Sequence, residues 1–494
     1  MAGSVAPRGL EAVLSVVALL GFGTVVLLAM GLLHAYLWFR LVRSTTEPGR
    51  LRRRLTWLTV FLTFLPVLAV VLRGVLPMNT AAPLSWIGFS WLGIAFYAFL
   101  SLLVLEPVRA VGRLMISKRA DGRVVPSGPR RGPRRDDAAA QPDGGTALGR
   151  GAVRQDGGVT ARGAVRQDGG VTARGAVRQD GGVTVRGAVR QDGDVIDQDG
   201  GVIDRDVAAD VPDRSRRLFL ARGLAVTAGA VALGTAGTGA YLANSAPVVR
   251  RVPVTLSRLD PALDGLRIVT FSDGHLSSTY GGRRFERLVE MVNEQRPDVV
   301  AIVGDLVDDD VEALREDVAP LRDLVSEQGV FFVTGNHEYF TDTTGWLRHL
   351  PTLGVEVLRN ERVPIRRGGA SFDLAGIDDR TAAASGLPGH GADLGAALDG
   401  RDEGTPVVLL AHQPFMVGQA AQAGVDLQLS GHTHGGQLWP FDYAIRLDQP
   451  AVEGLSRHGD TQLYVTSGAG FWGPPMRIGA RPEITVVELR SPGR

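Results

Sequence analysis

Three long apolar runs in the first 105 residues constrain this chain more than any other feature. Ala12 to Phe39 contains no Asp, Glu, Lys or Arg and only His34 among the basic types; Leu55 to Pro77 has one charge, Arg73; Leu84 to Leu105 has none. About 20 apolar residues suffice to cross a bilayer. Buried helices of a soluble domain are the alternative, but three such runs joined by short loops favour a membrane domain over residues 1–110. Trp38, Trp57, Trp86 and Trp91 lie towards the run ends, where interfacial aromatics are expected. His34 is expected to be a packing or interfacial residue, and Arg73 to snorkel. Arg40, Arg43, Arg50, Arg52, Arg53 and Arg54 follow the first run, and Arg109, Arg113, Lys118 and Arg119 follow the third. Positive loops stay cytoplasmic, which puts the N-terminus and the 78–83 loop outside.

Charge divides the chain. Residues 250–494 hold 23 Arg, no Lys and 34 acidic groups, a net −11, while residues 1–249 carry +12. An acidic back half argues against nucleic acid as a partner, because phosphates need a basic face. The absence of cysteine excludes disulfides, thiolate metal sites and cysteine nucleophiles.

Residues 111–214 read as a disordered cytoplasmic linker, rich in Gly, Asp, Arg and Ala. Within it "RGAVRQDGGVTA" (150–161) repeats with a 12-residue period and decays through 186–204. A short β-solenoid is the other reading, but each repeat has too few aliphatics to bury much. Residues 215–246 begin "SRRLFLARG" and continue uncharged to Ala243. Arg216 and Arg217 ahead of Leu218, Phe219 and Leu220 resemble a twin-arginine export signal, which implies the export machinery as a partner; an ordinary fourth span is the alternative. Both put residues 250–494 outside the cytoplasm. Small residues near Ser245 leave cleavage there open.

From residue 250 to 494 short apolar runs alternate with helical stretches such as 283–295. The runs 266–273, 298–305, 329–338, 405–414 and 425–434 each end in polar residues. Buried strands with helical crossovers predict an α/β sheet, and ligands bind at the carboxyl ends of such strands. Those ends carry Asp273 and His275, Asp305 and Asp308, Asn336 and His337, His412, and His432 with His434, which include five of the nine histidines. Oxygen and imidazole donors without sulfur suit Mn, Fe, Zn or Mg. There are enough for two ions, and paired ions activate water and stabilise the attacking and leaving oxygens in phosphoryl displacement.

The series "SDGH", "GDLVD", "GNHE", "AHQP", "GHTHGG", together with "GIDD" and "GFWGPPMRIGARPEI", resembles the calcineurin-like metallophosphoesterases, in particular a membrane-linked bacterial subgroup with the GHTHGGQ motif. The resemblance implies a two-sheet α/β sandwich behind the transmembrane helices. It implies two divalent ions, one on Asp273, His275 and His434, the other on Asn336, His412 and His432, with Asp305 bridging. His337 would be the catalytic acid, with Asp308 and Glu338 orienting the ligands. Arg477 and Trp472 are candidate substrate contacts, and Phe471 a candidate for the mouth. Asp378 and Asp379 either support a ligand or cap a strand; His349, His390 and His458 are expected on the surface. His432 and His434 are expected on an extended segment, pointing the same way by the period of two. The expectation is a multi-pass cell-membrane phosphoesterase with an extracytoplasmic catalytic domain. Its substrate would be a phosphomonoester or phosphodiester, such as an envelope component or lipid head group, hydrolysed by a dimetal-activated water. A membrane receptor that binds metal or phosphate without turnover is the alternative.

Overall fold

The computed structural model describes residues 8–73, 75–121, 189–191, 194–196 and 206–493. Residues up to Glu106 and from Arg222 onward form one compact unit, and Pro107–Ala221 another. The described residues of the front half include the helices α1 (Arg8–Leu37), α2 (Arg50–Arg73), α3 (Met78–Val104), α4 (Glu106–Asp121) and α5 (Asp206–Ala243). Among the described residues, four segments are long and apolar enough to cross a membrane: Gly23–Arg43, Arg50–Arg73, Met78–Val104 and Ser215–Ala243. The second stops short of its apolar run, because Pro77 sits extended (ψ 143°) before α3; its ring lacks an N–H and disfavours helix before it. Leu37, Ala95, Tyr97, Ala98 and Leu102 pack with Ala228 and Ala232 of α5. His34 is a packing residue here, its Nδ1 2.9 Å from Met30 O and its Nε2 accepting from Trp91 Nε1 at 3.0 Å.

Helix reaches into both ends of the stretch read as linker, through Asp121 and again from Asp206. Those ends carry Leu, Met, Arg and Ala, good helix formers, in place of the Gly-Asp pairs of the repeats. The repeats lie outside the described residues apart from two short strands, β1 (Val189–Gln191) and β2 (Asp194–Ile196), paired antiparallel.

The remainder is a sandwich. Its strands are β3 (Val248–Thr255), β4 (Arg267–Phe271), β5 (Val299–Val303), β6 (Val330–Val333), β7 (Val355–Val357), β8 (Glu361–Arg367), β9 (Ala370–Gly376), β10 (Val407–Leu410), β11 (Leu427–Ser430), β12 (Gly454–His458), β13 (Thr461–Val465) and β14 (Glu483–Arg490). One sheet has the order β3-β14-β4-β5-β6-β7, the other β12-β13-β11-β10-β9-β8. The expected two-sheet α/β sandwich is borne out. Alternation along each strand builds the layers, since successive side chains face opposite ways. Ile268, Val299, Ala301 and Val303 face inwards and meet Phe372, Leu374, Val408, Leu410, Leu427 and Leu429 of the other sheet. Val269, Phe271, Val300 and Ile302 face outwards, onto Phe285, Leu288, Val289 and Val292 of α6 (Arg283–Glu294). Val407 and Leu409 face the opposite outer layer with Ala397, Met416 and Ala420.

Parallel pairing sets the site. β4, β5 and β6 run parallel, as do β9, β10 and β11. Every predicted polar strand end therefore emerges on one edge of its sheet.

Candidate metal centre

The chain leaves each strand through unusual backbone. Asp273, His275, Asp305, His432 and His434 all have positive φ, between 48° and 71°. Non-glycine residues rarely adopt this region, and it concentrates at functional sites. The His432–His434 segment is thus not extended. It turns tightly, and left-handed backbone rather than two-residue alternation aims the rings. The rings also part: His432 packs against His412, centroids 5.2 Å apart, and His434 stacks on His275 at 4.9 Å. Glycine makes the close approach feasible. A Cβ on Gly431 would strike Ser272 and Asp273, and one on Gly335 would strike Asp305.

Three donor groups result. In each, one ligand atom per residue lies within 4.8 Å of the others: Asp273, His275 and His434 form the first, Asp305, His412 and His432 the second, and His275, Asp308 and His337 a third that shares His275 with the first. Asp305 Oδ2 is 3.1 Å from His412 Nε2 and 3.9 Å from His275 Nε2, so it borders the first two groups. The backbone N–H of His432 donates to both oxygens of Asp273, at 3.0 and 3.1 Å. His412 Nδ1 lies 2.7 Å from the carbonyl of Val303. A carbonyl only accepts, so Nδ1 carries the proton, and in the neutral ring Nε2 is left as a lone pair aimed at a carboxylate oxygen. Asn336 Oδ1 is buried without a hydrogen-bond partner. His412 Nε2 is likewise buried without a hydrogen-bond partner, and two orphaned polar atoms of this kind fit a site built around cations.

Around these donors sits a layer of acids. Asp308 Oδ1 lies 2.8 Å from both His275 Nδ1 and His337 Nδ1. Burial raises the Asp308 pKa, but the His275 and His337 rings outweigh it and hold the carboxyl well below the usual range. Burial lowers the His337 pKa, but Asp305 and Asp308 prevail and raise it to about 9. Glu338 is fully buried and accepts from the backbone N–H groups of Asp305, Leu306, Val307 and Gly335, at 2.7–3.3 Å. Burial, with Asp305 nearby, raises its pKa to about 7.

The calcineurin-like phosphoesterase family model matches residues 266–436. A Helicobacter pylori metallophosphoesterase is 38% identical over 52% of this chain and 68% of its own length. One from Bacillus subtilis is 32% identical over 56% of this chain and 98% of its own. The chain belongs to the calcineurin-like metallophosphoesterases. A bovine transmembrane protein with a metallophosphoesterase domain is 42% identical over 56% of this chain and 64% of that protein, so the match spans less than two thirds of this vertebrate relative.

In this metallophosphoesterase the structure brings together Asp273, His275, Asp305, His337, His412, His432, His434 and Asp308, and sets Asn336 and Glu338 beside them in chain. Arg477 departs from its predicted part. It is completely buried, and its guanidinium donates to the carbonyls of His434, Ser467, Gly468 and Gly470. Its Nη2 also lies 3.3 Å from His434 Nδ1; with its donors spent on this loop, it braces the ligand segment and does not reach the mouth. Trp472 does: its ring lies 5.5 Å from that of His337, and Phe340, unpredicted, is 5.4 Å away on the same histidine. Phe471 is buried beneath, edge-on to Trp86 and Tyr280. Asp378 is taken up by Arg359 at 2.9 and 2.7 Å, and Asp379 accepts twice from Gln413, next to His412; both are supports. His349, His390 and His458 are half-buried and belong to none of the donor groups.

Arg73 departs from expectation as well. It does not merely snorkel: its Nη2 donates to Asp308 O at 2.7 Å and its Nε to Asp309 at 3.2 Å. Trp346 Nε1 donates to Asp309 O at 2.8 Å. These contacts fix the loop that carries Asp308. They join residues with no shared motif, so no local signal could have found the Arg73 contact.

Proposed function

We propose that this chain hydrolyses a phosphate ester, mono- or diester, at a two-ion centre outside the cytoplasm. Asp273, His275 and His434 would hold one ion, and Asn336, His412 and His432 the other, with Asp305 adjoining both groups. The observation that carries this reading is the pair of adjoining donor groups with Asn336 Oδ1 left unpartnered. Mn, Fe, Zn and Mg all suit such donors. When bound, the ions act as Lewis acids on the phosphoryl oxygens and supply a nucleophilic water at neutral pH.

The chain's own residues do the rest. Asp308 takes His337 Nδ1 at 2.8 Å, which fixes the ring and favours its protonated form. The proton on Nε2 is then the one given to the departing oxygen. Asp308 also orients His275 through Nδ1, leaving Nε2 as its ligand atom. Glu338 ties the loop after β5 to the loop after β6 by four backbone donors, so Asp305 and Asn336 keep their spacing. Trp472 and Phe340 border the leaving-group side.

Sidedness is read from α5. Arg222 Nε donates to Thr45 O, within the basic loop, while Ala243 packs with Tyr280 and Phe471 of the catalytic sandwich. With the basic loop taken as the cytoplasmic side by the positive-inside rule, these contacts support a sandwich on the far side of the membrane. Arg216 and Arg217 support delivery by twin-arginine export, and the seat of Ala243 supports retention of α5 as an anchor. The test is hydrolysis of p-nitrophenyl and bis-p-nitrophenyl phosphates by the purified full chain with each metal. Metal-dependent release of p-nitrophenol from either ester supports the reading. Bound metal without turnover on either ester or on phospholipid head groups would instead identify a receptor.

A further inference from the structure

The segment that carries His432 and His434 continues into residues that pack on the membrane helices. Gln437 Nε2 donates to the carbonyls of Trp472 and Pro474 at 2.8 and 3.2 Å, and Trp472 N donates back to Gln437 Oε1 at 3.0 Å. Trp439 N donates to Ile478 O at 2.8 Å. These two knotted loops form the rim of the centre. They are also bonded to the spans. Tyr97 Oη of α3 donates to Trp439 O at 3.1 Å, Arg477 N donates to Gly239 O of α5 at 2.9 Å, and Leu438 and Ile478 pack against the core of the helix cluster. Gly93 and Gly239 have no side chain where Met476 and Ile478 press in.

The height of this rim can be read along α5. Arg222 meets Thr45 in the basic loop; Gly239 meets the rim seventeen residues later. At 1.5 Å per residue this is about 25 Å, close to the roughly 30 Å of a hydrocarbon core. With the basic loop at one interface, α5 puts the rim near the other; along α3 the rim is met at Gly93 and Tyr97, 15 and 19 residues in from Met78, so it reaches below that interface into the membrane. Trp439, Phe441, Tyr443 and Trp472 are each more than half exposed there, and Leu447 is 90% exposed. Amphipathic aromatics are the residues that settle at head-group level, and contiguous exposed apolar surface on a soluble face would need another partner. The continuity of this surface with the spanning helices identifies the occupant as the bilayer.

We propose that the rim residues Trp439, Phe441, Tyr443 and Leu447 rest in the outer head-group layer, and that the centre takes phosphate esters carried on lipids. This rests on the phosphoesterase reading above. His337, 5.5 Å from the Trp472 ring, is at the height of a lipid phosphate. Water attacks phosphorus, the ester oxygen leaves with a proton, and phosphate or a phosphomonoester is released; no other reactant is required.

The chain has no cysteine, so one introduced thiol is unique. Tyr443→Cys and Val325→Cys, each labelled with a polarity-sensitive fluorophore, go into phosphatidylcholine nanodiscs as full-length protein. Val325 is exposed and precedes the amino end of β6, away from the rim. Lipids with a nitroxide near the head group should quench the label at 443 and spare that at 325. Equal quenching, or none at 443, overturns the placement whatever the activity. In the same discs, with Mn²⁺, dioleoyl phosphatidic acid and dioleoyl phosphatidylglycerol are compared with glycerol 3-phosphate and glycerophosphoglycerol, which carry the same head groups without chains. Confinement to one surface raises effective concentration, so at least one lipid should be cleaved at least about tenfold faster than its soluble counterpart. Equal or faster cleavage of the soluble esters, or cleavage of p-nitrophenyl esters with none of the four, overturns the lipid substrate and leaves the phosphoesterase reading intact. No cleavage of any ester overturns that reading instead, and the quenching still decides where the rim sits.

Discussion

Asp305 borders the two donor groups proposed to hold ions, 3.1 Å from His412 and 3.9 Å from His275, and a carboxylate shared by two cations contributes more than one that serves a single ion. Asp305→Asn removes that charge while keeping shape, so occupancy at both positions should fall together. His337 is different. It touches Asp308 and the aromatic mouth, and in the proposed mechanism it handles a proton. His337→Ala should leave metal content near wild type and slow turnover by about 10²–10⁴-fold, the usual contribution of a general acid. Metal analysis beside steady-state kinetics separates the two. An Asp305→Asn protein with full occupancy and rate would refute the shared-carboxylate assignment.

At the scale of elements, Arg477 joins the loop after β11 to the loop after β13 through the carbonyls of His434, Ser467, Gly468 and Gly470. Lys offers three donors from one point where Arg offers five in a fork. Arg477→Lys should therefore leave buried carbonyls unsatisfied, cost about 1–3 kcal/mol, and weaken metal binding through His434. Thermal unfolding and metal titration measure both; unchanged stability and affinity would contradict the bracing role. The sequence is legible where information is local. Apolar runs that end in Asp, Asn or His announce β4, β5, β6, β10 and β11 and their catalytic edge. The His-x-His geometry departs from expectation because periodicity assumes extended backbone, although Gly431, Gly435 and Gly436 already mark a turn. Arg477 and Arg73 depart from it because their partners are set by tertiary packing: Arg73 meets Asp308 and Asp309 across 235 and 236 residues of chain. β14 is opaque for the same reason, since it pairs with β3 and β4 from the far end of the fold.

For the whole molecule, the division between a basic membrane half and an acidic sandwich matches the proposed sidedness. Arg216→Lys with Arg217→Lys keeps the charge that orients the spans but removes the pair an export receptor would read. Protease added to intact spheroplasts should digest the wild-type sandwich and spare the double variant; equal digestion would remove the twin-arginine route, and protection of the wild type would reverse the topology. Deleting residues 150–204 should leave hydrolysis by the inserted protein unchanged, because a solvated linker adds little to a distant core, and loss of activity on deletion would make the repeats structural. The central claim, a two-ion hydrolytic centre, is tested most directly by counting metal ions per purified full-length chain while following p-nitrophenyl ester hydrolysis during chelation and reloading. Two ions per chain are expected, with activity lost as they are stripped and recovered as both return; a chain that keeps its full rate with no bound metal, or with one ion, would contradict it.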